Sequence, residues 1–263
     1  MLAAGWALVS HKLIVLGYIG AISPLAHALI GVAFGLLLVF RTNTSYDRFW
    51  EGRRLWGVII NEGRNQSRLV ASLLPKASRV TYRTCISIFA HATMHRLRLN
   101  RDLGPHAERL SPALREAFAE AAHPPSAALA HASALLDRHV RTGEMQGQMT
   151  LAFQDGLRDL VHAAGGCDRI RATPIPFAYT VHLRRALILY AATLPLALST
   201  ELGWATVPAT LIVTFVLFGI EELGVSIEDP FGFDANDLHL EQFCAAVDAC
   251  LFDANMDQVC ELA

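Results

Sequence analysis

Val32, Leu36 and Phe40 stand four residues apart in an uncharged stretch, so a helix places them on one apolar stripe. Such a stripe can face lipid or a protein core. Repeated around an oligomer axis, it can also form a constriction that gates ions by dewetting. Thr42, Asn43, Thr44 and Ser45 follow at once and supply hydroxyl and amide groups that could receive a dehydrating ion or simply mark a helix exit. Arg41, Arg48, Arg53 and Arg54 could attract anions, or pair with headgroups and with Glu51. Towards the other end, Glu221, Glu222, Glu228, Asp229, Asp234 and Asp237 form an acidic run. Carboxylates of this kind bind hard cations, or cap helices and pair with arginines. Asp234-Ala235-Asn236-Asp237 lacks the Gly and the terminal Glu of an EF-hand, so that motif is rejected. Asp234 and Asn236 suit an N-cap before a helix over Leu238–Leu251.

Two further groups invite chemistry. In PIPFAY (174–179), prolines on either side of Ile175 fix an extended backbone, making a rigid linker or aiming Ile175 as a second constriction. His91 and His95 have the i, i+4 spacing of zinc ligands. No HExxH and no third ligand accompany them, so a partly buried packing role is expected. No nucleophile motif, phosphate loop or Gly-rich dinucleotide turn is visible, and no enzyme activity is expected.

The elements that must position these residues are helical. Residues 2–22 are apolar apart from Ser10, His11 and Lys12 and read as a first membrane span, since about 20 apolar residues suffice. Ser23-Pro24 reads as a turn, and Leu25–Phe40 makes a second span. With no proline from Leu25 to Leu74, that helix is predicted to run on past the membrane as a shaft, closed by Pro75. Thr81–Arg98, Ala127–Arg141 and Gly147–Ala164 read as further helices, the last ended by Gly165-Gly166. His182–Ser199 and Ala205–Ile220 are the third and fourth apolar spans, joined by a turn at 201–204.

Composition agrees with partial membrane residence: the 263 residues are 53% hydrophobic and 17% charged, against about 25% charged in soluble domains. A net charge of −2 gives no basic field, so no nucleic-acid partner is expected. Cys85, Cys167, Cys244, Cys250 and Cys260 contain no CxxC pair and point to a reducing face. The first residues resemble neither a secretory signal nor a transit peptide. Arg41, Arg48, Arg184 and Arg185 crowd one edge of spans two and three, which puts the middle region and the C-terminus in the cytoplasm of a multi-pass inner-membrane protein. The chain thus divides into 1–44 (membrane helices one and two), 45–173 (cytosolic helical region), 174–222 (membrane helices three and four) and 223–263 (cytosolic acidic segment), integrated as one folding unit.

FRTNTSYDRFWEGRRLWG (40–57), PIPFAYTVHLRR (174–185) and EELGVSIEDPFGFDANDL (221–238), in this order and spacing, resemble the bestrophin family of ion channels in its prokaryotic branch. The resemblance covers roughly residues 20–240. It implies an all-α subunit with four transmembrane helices and a cytosolic helical bundle, assembled as a homopentamer around one pore. It also implies a neck at Val32, Leu36 and Phe40 and a cytosolic aperture at Ile175. Animal members are similar in carrying a calcium clasp, whose acidic positions match Asp234 and Asp237. Asp229 stands where those members have an amide and Ser226 where they have a longer one, and the clasp's N-terminal backbone segment finds no match. Calcium at Asp229, Asp234 and Asp237 is therefore one option, with no cofactor required as the other. The expected partners are the lipid bilayer, chloride or other small monovalent ions, and further copies of the chain. A membrane-anchored sensor or scaffold with a cytosolic helical domain is the alternative from another class, and a carrier using Glu221 and Glu222 as proton groups is a third.

Overall fold

Pro24 opens a helix whose fixed φ suits a first turn, and the next proline is Pro75, so nothing in between interrupts the hydrogen-bond ladder. The result, in the computed structural model of the chain, is one 50-residue helix, α2 (Pro24–Leu73). The structure describes residues 2–253, 255, 257 and 258, and Cys260 lies outside them. Before α2 comes α1 (Leu2–Val15), and after it α3 (Lys76–Leu97), α4 (Pro112–Glu120), α5 (Pro124–Arg141) and α6 (Gly147–Ala172). Then follow α7 (Phe177–Leu202), α8 (Thr206–Ser226) and α9 (Leu240–Leu251), with single 3-10 turns at Pro105–Arg109 and Gly203–Ala205. The described residues contain no strand, so the fold is all-α.

Several elements depart from the sequence reading for local reasons. The apolar stretch 2–22 is not one helix: α1 ends at Val15, where Gly17 takes φ +75°. Tyr18 N–H bonds the Leu13 carbonyl at 2.9 Å and Gly17 N–H the Ile14 carbonyl at 3.0 Å, a Schellman stop that the run of apolar residues hides. At about 1.5 Å per residue, α1 alone is shorter than a bilayer core. Gly165-Gly166 does not end α6, which continues to Ala172. Gly166 is there for close approach: a Cβ on it would come within 2.8 Å of Leu55 Cδ1. PIPFAY is extended only up to Pro176, and Phe177–Tyr179 already belong to α7. Finally, α9 starts at Leu240 with His239 at its N-cap and no side-chain capping bond, so Asp234 and Asn236 do not cap it.

The chain forms two compact units. The first holds Met1–Phe49 and Pro174–Asp229, hence α1, the first half of α2, α7 and α8. Its α2–α7–α8 core is Leu38, Leu183 and Leu187, flanked by Phe34, Leu217, Phe218 and Ile220. Pro24–Leu73 and the stretch Phe177–Ser226 are long and apolar enough to cross a membrane, by length and composition.

The second unit holds Trp50–Thr173 and Pro230–Ala263 and is a helical bundle around α3. Every residue of α3 from Tyr82 to Met94 is buried, which is why its apolar and polar residues follow no single face. Most of the polar ones find partners inside the bundle, Thr84 Oγ1 and Arg83 Nε excepted. Tyr82 donates its hydroxyl to Gln66 Oε1 at 2.6 Å, while Gln66 Nε2 donates to the Phe153 carbonyl at 3.3 Å. Arg83 gives Asp257 two hydrogen bonds of 2.8 Å. His91 is not half of a metal pair with His95: its Nε2 lies 2.8 Å from Asp248 Oδ2, and His106 Nε2 lies 3.4 Å from the same oxygen. Ser87 donates to Asp248 Oδ1 at 2.6 Å. Cys85 and Cys167 are buried free thiols whose pKa burial pushes up to about 12, so they are not reactive thiolates at neutral pH.

Two outcomes follow for the bundle. A Cβ at Gly156 would collide with the Gln66 amide and lie close to Glu62 Oε2. Gly156→Ala therefore breaks the Tyr82–Gln66–Phe153 chain and is expected to cost about 1–3 kcal/mol, read as a lower unfolding midpoint. The second outcome concerns acid. Burial opposes ionisation of Asp248, but hydrogen bonds from His91 and Ser87 outweigh it and hold its carboxyl below the usual range. Burial also lowers His95, His106 and His131, for His106 against the opposing charge of Asp248. A lowered histidine stabilises the fold above its unfolded pKa of about 6.5 and loses this as pH falls through the folded value. The lowered carboxylate keeps its contribution down to about 3.8 and loses it below. Thermal stability is thus expected to fall in two steps on acidification. His106→Gln shrinks the upper step and, because the charge of His106 also helps to hold Asp248 low, reduces the lower step as well, as pH-resolved melting curves will show.

Candidate functional site

Successive positions two residues apart lie on opposite sides of a helix, so α2 shows two different apolar faces over one stretch. Phe34 and Leu38 turn into the core with Leu183 and Leu187. Val32, Leu36 and Phe40 turn away from it and are 74%, 55% and 56% exposed. Three large apolar side chains in one stripe therefore have no cover from their own unit.

One residue further on, Arg41 is 1% exposed. Arginine keeps its charge in a protein, so burial demands carboxylates. Arg41 Nη1 donates to Glu221 Oε1 at 3.2 Å, and Nη2 lies 3.6 Å from Glu228 Oε2. Glu221, 6% exposed, shares the same Oε1 with Arg184, at 3.2 Å from Nε and 3.0 Å from Nη2. Glu228 Oε1 accepts the backbone N–H of Ile175 at 3.3 Å, and its carbonyl accepts from Arg48 Nε at 3.1 Å. Three arginine side chains, two glutamates and the PIP segment thus form one network across α2, α7, the C-terminal end of α8 and the residues just after it. Ile175 itself is half-buried, its backbone held by Pro174, Pro176 and Glu228.

The sequence reading paired the acidic run with the arginines, and Glu221 and Glu228 do so. It offered Arg41 to anions or headgroups, whereas the structure buries it. It missed that Glu228 anchors Ile175, and spacing carries no signal for a contact between residues this far apart in the chain. Thr42 and Thr44 return their hydroxyls to the Leu38 and Phe40 carbonyls at 2.9 Å each, the usual use of threonine on a helix. Arg53 stacks on Phe243, and Glu51 pairs with Arg169 instead of with its α2 neighbours.

The remaining acidic candidates are Asp229, Asp234 and Asp237. Asp229 is exposed in the first unit. In the second, Asp234 is exposed and Asp237 buried, with Asp237 Oδ2 accepting the Asp234 N–H at 2.7 Å. The loop closes further through Leu238 N–H on the Pro230 carbonyl at 2.9 Å, with Phe231 buried in it. Arg98 Nε donates to the Phe231 carbonyl at 3.2 Å while its guanidinium covers the Phe233 ring. Among the described residues no three His, Cys, Asp or Glu side chains are grouped to hold a metal ion.

The profile of the Bacterial/Fungal Bestrophin proteins matches residues 1–253. The chain belongs to the bestrophin family. Among its relatives is a voltage-dependent anion channel-forming protein of Synechocystis, 37% identical over 239 residues that cover 88% of this chain and 77% of the other. The voltage-dependent anion channel-forming protein YneE of Escherichia coli is 32% identical over 233 residues, 87% of this chain and 75% of the relative. The crystal structure of a bacterial bestrophin homolog from Klebsiella pneumoniae superposes with a TM-score of 0.88 at 28% identity, covering 98% of this chain and 95% of that one. A structure described as that of a membrane protein superposes at 0.89 with 27% identity, over 97% and 96% of the two chains. This bestrophin thus shares the all-α, membrane-associated fold with its helical bundle along nearly its whole length.

The network yields a stability test. Glu221→Gln leaves Arg41 buried against one weaker carboxylate and is expected to cost about 3–5 kcal/mol. Arg41→Met combined with Glu221→Leu removes both charges and is expected to recover part of the loss. Thermal unfolding in detergent measures both.

Proposed function

We propose that this bestrophin is a passive ion channel of the cell membrane, a homopentamer with one central pore for small monovalent ions, chloride among them. The observation that carries the reading is the uncovered stripe of Val32, Leu36 and Phe40, backed on the opposite side of α2 by a packed core. Five copies of that stripe around an axis would make an apolar neck, and the channel-forming names of the relatives agree with it. Ile175 would form the second aperture, its backbone already held on both sides. In this reading residues 1–44 and 174–222 supply four membrane segments, and 45–173 and 223–263 face the cytoplasm. An apolar neck discriminates by the cost of dehydration more than by sign, so the neck by itself does not choose between anions and cations.

The test is ion flux in vesicles holding the purified protein. Leu36→Ala and Phe40→Ala widen the neck and keep it wet, so flux is expected to rise about threefold or more over the parent. Ile175→Ala gives a smaller rise and changes the relative permeability of large and small ions. The reversal potential in a salt gradient reads the sign of the ion. Chelating calcium leaves flux unchanged if no cofactor is required. Absence of flux from parent and variants alike, or a strictly monomeric protein by mass measurement, overturns the channel and leaves a membrane-anchored scaffold.

A further inference from the structure

A guanidinium keeps its charge, so in a folded protein it ends on a carboxylate, over an aromatic ring or in solvent. In the second unit Arg83 ends on Asp257, Arg98 on Glu241, Arg158 on Asp155 and Arg169 on Glu51. Arg53 and Arg109 lie over the rings of Phe243 and Phe252. Arg54, Arg64 and Arg68 of α2 do neither. All three are exposed, and among the described residues no carboxylate pairs with them. Two of them are held by neutral groups instead. Arg64 Nη1 donates to Asn61 Oδ1 at 3.3 Å, and Arg68 Nη2 donates to Asn65 Oδ1 at 2.9 Å. In both cases the asparagine stands three residues before its arginine, so the pair repeats one helical turn on. An amide oxygen orients a guanidinium without neutralising it, and leaves roughly four of its five N–H donors open.

Arg64 and Arg68 are neighbours on the helix surface, with about 5–6 Å between their Cβ atoms, so both forks can reach one phosphate. Glu62, the acid nearest to them in the chain, is turned aside. Its Oε2 accepts from Asn65 Nδ2 at 3.1 Å, and a Cβ on Gly156 of α6 would lie 2.6 Å from the same oxygen. At about 3.6 residues per turn, Arg54 stands five turns after Leu36 and so on the line of α2 that carries the uncovered stripe. Asn61 and Arg68 fall within about 40° of that line. Asp47, also exposed on it, lies about 25 Å before Arg64 along the helix, well beyond a Debye length of about 8 Å in physiological salt. Its charge therefore leaves the field at Arg64 and Arg68 positive.

We infer that Arg64 and Arg68, supported by Arg54, form a binding site for a free multivalent phosphate anion of the pyrophosphate class. One phosphoryl group sits between the two forks that Asn61 and Asn65 orient. Paired phosphate oxygens match the guanidinium fork bidentately, and a weakly hydrated guanidinium gives up its water more readily than an ammonium does. Each further charge on the anion adds to its attraction in the same field, so pyrophosphate is favoured over chloride. The site deepens the pore reading and rests on it in one respect. Five copies of this line around an axis would bring all their arginines to bear on one anion, whereas the pair on a single helix already offers two forks.

The experiment titrates inorganic pyrophosphate into the full-length protein in a neutral detergent, followed by calorimetry. Saturable binding is expected. Arg64→Gln combined with Arg68→Gln weakens it at least about tenfold, the worth of one charge-assisted hydrogen bond. Arg158→Gln leaves it unchanged, because that guanidinium already serves Asp155. Raising the salt from about 0.1 M to about 1 M shortens the Debye length from about 10 Å to about 3 Å and weakens binding as well. Both side chains are exposed, so the double variant is expected to keep the parent's unfolding midpoint. If it does not, the two single variants decide by the same titration. Dihexanoyl phosphatidic acid carries the same phosphate on a lipid. If it displaces pyrophosphate at lower concentration than inorganic phosphate does, the ligand is a lipid headgroup and the free anion is overturned. Absence of saturable binding, or an equal loss in Arg158→Gln, overturns the site. Ion flux from vesicles holding the same preparation reports the channel separately. Flux without pyrophosphate binding overturns the site alone, and binding without flux overturns the channel alone.

Discussion

A guanidinium that cannot lose its proton, buried where water does not reach, is the constraint around which the first unit is arranged. Arg41 is 1% exposed, and its charge is tolerable there because Glu221 and Glu228 reach it from the end of α8 and from just beyond it. Glu221 is buried in turn, and Arg184 of α7 shares its oxygen. Glu228 spends its second oxygen on the Ile175 N–H. One buried charge thus sets the positions of α2, α7, α8 and the Pro174–Pro176 segment relative to each other. The network begins one residue after Phe40, so the side chains proposed as the neck are placed by it.

The two halves of α2 meet different demands. Up to Phe49 the helix presents one apolar face to α7 and α8 and leaves the other uncovered. From Trp50 onward it joins the bundle around α3, where glycines allow helices and loops to come close. Gly52 lies against the Phe231 ring, Gly63 against Val247 and Gly166 against Leu55. Polar groups inside this bundle are tied in pairs and chains, Tyr82 to Gln66 and Asp248 to Ser87, His91 and His106. A bundle with this many internal polar contacts keeps its register through hydrogen bonds as well as through apolar packing.

The unbroken length of α2 was legible because proline is the main interrupter of a helix and none occurs between Leu25 and Leu74. The stripe of Val32, Leu36 and Phe40 was legible as a stripe, since helical periodicity alone defines it. The stop after Val15 was not, because a Schellman turn needs a single glycine and apolar neighbours that resemble a continuing span. The continuation of α6 through Gly165-Gly166 was misread for the opposite reason. Glycine marks either a helix end or a close contact, and only the position of Leu55 distinguishes them.

By itself, then, the sequence determined the helical class, the membrane-length apolar stretches, the family and the face of α2 that carries Val32, Leu36 and Phe40. These depend on composition, on period and on order along the chain, all of which are local or additive. Tertiary structure alone decided which carboxylate meets which arginine, that Glu228 holds Ile175, that His91 turns to Asp248, and that three threonine hydroxyls of α8 are buried without hydrogen-bond partners. Each of these is a contact between residues far apart in the chain. Many pairings of Arg with Glu or of His with Asp are equally compatible with the spacing, and packing selects one of them.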